Sequence, residues 1–159
     1  MKIAYSALSV VTPTWSANWA WGLPLIVLTV VIHVFGLLLI DEEAERVQNR
    51  VVERYSYAVV FAVIIGGTAL SATLLLGMEG MIWAVAYRLV GALPDNSSAV
   101  LYSLSAMTAY GHANLNLERH WQLMGAMEAL NGMLLFGLTT AYLFGIIQRA
   151  WSLKGARSG

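Results

Sequence analysis

Cysteine is missing from all 159 residues. That removes disulfides, thiolate catalysis, iron–sulfur clusters and Cys-ligated zinc, and leaves the redox compartment unmarked. Charge is scarce as well. Asp, Glu, Lys and Arg make up 11% of the chain, against about 25% in an ordinary soluble domain. Nine cations offset nine anions, so no basic or acidic surplus points to nucleic acid or to an acidic substrate. Catalytic motifs are absent too: there is no H-E-x-x-H, no G-x-S-x-G, no phosphate loop and no Cys/His cluster. His33, His112 and His120 are the only imidazoles, and two of them lie in a loop region, which counts against haem. The expectation is a protein that is not an enzyme and carries no cofactor or metal.

What is present is apolar. Hydrophobic residues form 58% of the chain and the mean hydropathy is +0.67, a membrane composition at the length of one domain. Residues 1–22 hold Lys2 and a short apolar run broken by Pro13. No small-residue cleavage site follows a clean apolar core, so an uncleaved start is expected. Trp15, Trp19 and Trp21 read as an interfacial aromatic belt. Leu23–Ile40 is the first expected span, near the minimum length for a bilayer core. His33 within it reads as a histidine hydrogen-bonded to a neighbouring helix. Asp41–Arg54 follows as a charged helical connector. Glu42 and Arg46 are spaced for an i,i+4 pair, and Arg46, Arg50 and Arg54 stack on one stripe, either solvated or facing anionic headgroups.

Tyr55–Leu93 is apolar for longer than a bilayer needs. The expectation is a span over 56–77 and a kinked or separate extension over 82–92, with Gly77 and Gly80 at the kink. Glu79 between them reads as paired with Arg88 or Arg119, or else as a cation-attracting carboxylate near a mouth. Pro94–Ser98 is a turn supplying a helix N-cap. The helix after it, over 97–108, covers about 18 Å and is too short to span. It must dip in and return, with its carbonyl end aimed at whatever the loop surrounds. Trp121–Arg149 is the last span, with Gly132, Gly137 and Gly145 allowing close approach or bending. Glu128 and Asn131 are polar groups that need partners inside it. Glu128 is expected to anchor the last helix to the back of the short one through a hydroxyl such as Ser103 or Ser105.

The predicted fold is therefore an all-α integral membrane protein. Three transmembrane helices carry a re-entrant pore helix and filter-like loop between the second and third. Residues 1–54 form an N-terminal segment, first span and connector, 55–149 a pore module and 150–159 a tail. Arg46, Arg50, Arg54, Arg149, Lys154 and Arg157 fall on one side; Lys2, Arg88 and Arg119 fall on the other. The positive-inside rule then places the C-terminus in the cytoplasm and the N-terminus outside.

EALNGMLLFGLTTAYLF (Glu128–Phe144) is similar to the inner helix of small bacterial potassium-channel-like proteins of the ion channel family, which reads EALxGxLLFGxxTAFLF. WQLMG (Trp121–Gly125) resembles that family's WRLLG approach, with weaker likeness over Leu28–His33 and Trp83–Asp95. The resemblance covers about half the chain. It implies a bacterial inner-membrane protein with a pore helix, a filter and an inner helix, closing a pore as a homotetramer in the lipid bilayer.

The family's filter reads T-T-x-G-Y-G-D. Counting back from Trp121 sets Thr108, Ala109, Tyr110, Gly111, His112, Ala113 and Asn114 against it. Thr108 and Gly111 match. Ala109 stands for the threonine of the innermost ion site, His112 for the bracing tyrosine, Ala113 for the last glycine and Asn114 for the aspartate. (Aligned instead on Tyr110–Gly111, Ala109 replaces the first glycine.) Aiming filter carbonyls inward needs left-handed backbone, where alanine costs about 1–2 kcal/mol, which counts against potassium selectivity. Four His112 side chains at the mouth would add pH dependence near neutrality. Gly132 is the expected gating hinge.

Two functions follow. One is a pore subunit for monovalent cations. The other is a non-conducting accessory subunit of a larger photosynthetic or respiratory membrane complex that keeps the channel-like fold.

Overall fold

Long apolar stretches fill most of the chain, and the computed structural model is helical accordingly. It describes the backbone over residues 2–51, 55–111 and 115–157, and side chains over 15–50, 55–111, 115–149 and at 151. The elements are α1 (Lys2–Val51), α2 (Tyr57–Leu89), α3 (Asn96–Met107), a single 3-10 turn (Arg119–Trp121) and α4 (Gln122–Arg157). No strand occurs among the described residues. Three of the helices contain stretches long and apolar enough to cross a membrane: Trp15–Arg50, Tyr57–Leu89 and Arg119–Arg149. The fold class is all-α with three candidate spans.

The long helices extend beyond the expected spans. α1 runs unbroken from Lys2 to Val51, through Pro13 and Pro24, so residues 2–22 and residues 41–51 of the expected helical connector continue the first span as one helix. Proline removes one intrahelical donor, and the helix continues through both positions regardless. Likewise α2 passes through Gly77 and Gly80 as one helix. Its excess length over a bilayer does not break it.

Each long helix contributes to two compact units, residues 1–31 with 78–134 and residues 32–77 with 135–159. In the first, Leu25, Trp83, Tyr87, Leu93, Ala99, Leu117, Trp121, Met124 and Met127 form the core. Asn18, Leu25 and Thr29 are buried on α1 at helical spacing, and the two polar members meet α4. Asn18 Nδ2 donates to the His120 carbonyl (2.6 Å) and its Oδ1 accepts the Met124 amide (2.9 Å). An α1 side chain thereby caps a first-turn donor of α4 that has no partner in its own helix. Asn131 Nδ2 donates to Thr29 Oγ1 at 2.8 Å.

In the second unit Val60, Ile64 and Ile146 are the buried cluster, with Ala44, Ile65 and Tyr142 against it. His33 is fully buried with Nε2 3.1 Å from Thr139 Oγ1. The Arg149 guanidinium pairs with Asp41, and its Nη1 lies 3.5 Å from Glu45 Oε1.

Candidate functional site

The segment from Pro94 to Trp121 contains one short helix held at both ends by its own chemistry. Asp95 is the N-cap of α3, in extended backbone, and accepts the Ser98 amide at 2.8 Å and the Ser98 hydroxyl at 2.7 Å. These two bonds hold its exposed carboxyl below the usual carboxylate range. Arg88 closes the preceding turn, donating to the Leu93 carbonyl (2.6 Å) and to Asn96 Oδ1 (2.9 Å).

The other end of α3 closes on itself. Thr108 is the C-cap, the Ala109 amide returns to the Ala106 carbonyl (3.1 Å) and the Tyr110 amide returns to the Ser105 carbonyl (3.0 Å). That pair of bonds is a Schellman motif, which requires a left-handed residue after the cap. Ala109 fills that position at φ 52° and Gly111 follows at φ 73°. The Leu104 carbonyl accepts both the amide and the hydroxyl of Thr108. Three carbonyls of the last turn thus have local donors. The fourth, of Met107, rests on α4, where a Cβ added to Gly132 would lie 2.2 Å from its oxygen.

Gly132 is therefore the seat of the α3 C-terminus. Beside Gly77, Gly137 and Gly145 there is open space instead. Of the residues aligned with a filter, Thr108, Ala109, Tyr110 and Gly111 form this cap, with Tyr110 83% exposed. His112, Ala113 and Asn114 lie outside the described residues.

Glu128 is the anchor beneath α3. It is fully buried; Tyr87 donates to its Oε2 at 2.6 Å, and Ser103 Oγ lies 2.5 Å from its Oε1. Ser103 Oγ also lies 2.6 Å from the Gly80 carbonyl. One carboxyl therefore joins α2, α3 and α4. The tyrosine is itself fixed by edge-on contact with Tyr102, ring centroids 5.4 Å apart. Of the two hydroxyls singled out by sequence, Ser103 makes this contact, while Ser105 bonds back to the Leu101 carbonyl. Glu79 is also fully buried. Asn131 is buried with its amide nitrogen on Thr29, and its Oδ1 has no hydrogen-bond partner among the described residues.

In the arginine stripe at the end of α1, Arg46 is paired locally. Arg46 lies 3.4 Å from Glu42 and 3.1 Å from Glu43, and all three side chains are exposed. Arg50 is exposed and Arg54 lies outside the described residues. Sequence reading missed Asn18, Thr29 and the Asp41–Arg149 pair. Asn18 and Thr29 stand eleven residues apart on one helix face, a signal visible only once residues 1–22 are read as helix. No group of three or more His, Cys, Asp or Glu side chains that could hold a metal ion occurs among the described residues. Compared with family models, with curated proteins and with solved structures, the chain finds no match.

Proposed function

We propose that the chain is a channel-type membrane subunit in which α3 and its following loop form a re-entrant hairpin, four copies closing a path for monovalent cations. One observation carries this reading. A helix of 12 residues, too short to cross a bilayer, is seated by backbone contact on Gly132 and tied by Ser103 to the buried Glu128. A polar turn lying on a membrane surface has no need of such an anchor.

The selectivity expected is low. A filter discriminates by replacing hydration with rings of free carbonyls, and the filter-aligned Thr108, Ala109 and Tyr110 are instead folded into the cap of α3, their amides bonded back to Leu104, Ala106 and Ser105. Purified protein in liposomes should pass potassium, sodium and caesium at comparable rates. A particle of four copies that passes none of them would sink the reading.

The same cap favours a second reading, the non-conducting accessory subunit. An α3 whose carbonyl end is closed by a Schellman motif is a stable structural element without any ion. Stoichiometry separates the two. A single copy co-purifying with larger membrane subunits supports the accessory role, and a four-fold particle with the α3 loops at its centre supports the pore.

A further inference from the structure

The bonds around Ser103 require one more hydrogen than its hydroxyl and Tyr87 supply. Ser103 Oγ lies 2.6 Å from the Gly80 carbonyl oxygen and 2.5 Å from Glu128 Oε1. A serine hydroxyl carries a single proton and donates once, and a backbone carbonyl only accepts. If Ser103 donates to Glu128, the Ser103 and Gly80 oxygens face each other at 2.6 Å with no hydrogen between them. If Ser103 donates to Gly80, an ionised Glu128 faces the Ser103 oxygen lone pairs at 2.5 Å. Neither contact is sustainable between two acceptors, and a hydrogen shared between both would point properly at neither. Tyr87 supplies no remedy, because its hydroxyl is spent on Oε2, the other oxygen of the carboxyl.

One assignment gives each contact a hydrogen. Glu128 Oε1–H donates to Ser103 Oγ, Ser103 donates to the Gly80 carbonyl, and Tyr87 donates to Glu128 Oε2. We infer that Glu128 is held as a neutral carboxylic acid, a buried proton-holding site where α2, α3 and α4 meet. The surroundings agree. Glu128 is fully buried, and its side-chain partners are two hydroxyls rather than a cation. The ionisable side chains facing it are Tyr87 from α2 and Tyr102 from α3. Glu79, fully buried on α2, brings no positive charge. Among the described residues, the buried polar side chains of α1 in this unit are the uncharged Asn18 and Thr29. A carboxylate here would be a buried charge without a partner, which proteins avoid by protonation.

This inference does not rest on the pore reading and is tested without any flux measurement. The full chain, glutamate-labelled with carbon-13 and held in lipid nanodiscs, is compared by infrared difference spectroscopy with Glu128→Gln at neutral pH. The expected result is loss of a protonated-carboxyl band in the variant. Loss of a carboxylate band pair instead overturns the inference. Folding gives a second readout. The glutamine amide can donate to Ser103 and accept from Tyr87 as the acid does, so E128Q should keep a folded-to-unfolded ratio close to that of the unmodified protein. Glu128→Ala should lower that ratio about tenfold or more. An E128Q that fails to fold, or that is as damaged as E128A, overturns the inference.

Discussion

Ala109 holds φ at 52°, a conformation that costs an L-residue with a Cβ about 1–2 kcal/mol and glycine almost nothing. It is tolerated because the two Schellman bonds depend on it. Ala109→Gly should therefore stabilise the protein by about 1 kcal/mol, read as a higher midpoint in denaturant in detergent. A destabilised variant would show that the alanine methyl, and not the backbone, is what matters there. Gly132 is the opposite case. An added methyl would meet the Met107 carbonyl oxygen at 2.2 Å and its Cα at 2.7 Å, both backbone atoms that cannot step aside. Gly132→Ala should cost about 1–3 kcal/mol, read in the same unfolding experiment, and unaltered stability would refute the close seat. Sequence picked out both positions for other reasons, a filter place and a hinge. Neither the cap geometry nor the neighbouring Met107 backbone leaves a mark in the letters around them.

Among the elements, α3 was legible almost to the residue: expected over 97–108, it spans Asn96–Met107. The turn residues announce its start, and Asp95 has the local chemistry of a cap. The Glu128–Ser103 tie was legible as well, because a carboxyl in an apolar helix needs a donor and few hydroxyls stand opposite. The continuity of α1 and α2 was not. Pro13 and the Gly77–Gly80 pair look like breaks, but the helix continues through each of them. Nor does the sequence show that α1 reaches across to cap α4 through Asn18, a contact between residues more than a hundred positions apart.

The α3 cap carries its own pH dependence. The Asp95 carboxyl titrates below its unfolded value because Ser98 donates two bonds to the ionised form. Its contribution is complete above the unfolded value of about 3.9 and disappears as pH falls through the lower folded value. Amide exchange in the first turn of α3 should accelerate in that acid window. In Asp95→Asn, whose amide oxygen caps without titrating, the acceleration should vanish. Equal acid sensitivity in both proteins would remove the cap from the explanation.

At the scale of the whole molecule, the surface is that of a protein surrounded by lipid. Phe35, Leu39, Leu70 and Leu74 are each more than 60% exposed, an arrangement water does not tolerate in such number. In the proposed three-span reading, six of the nine basic residues would lie on the side shared by the ends of α1 and α4. The re-entrant reading makes a sharper demand than the span count does. Ser97 in the first turn of α3 and Asn116 beyond the following loop are both exposed, as is Asn49 near the end of α1. If α3 dips and returns, Ser97→Cys and Asn116→Cys should react with a membrane-impermeant thiol reagent from one side of sealed vesicles, and Asn49→Cys only from the other. The absence of native cysteine makes each variant a single-label protein with no background. Ser97 and Asn116 labelling from opposite faces would mean that α3 and its loop cross the lipid. A crossing there would leave α3 with irregular backbone at membrane depth that only surrounding protein can satisfy. The pore proposal would fail with that result, while the Ser103–Glu128 tie would stand, since it depends on packing alone.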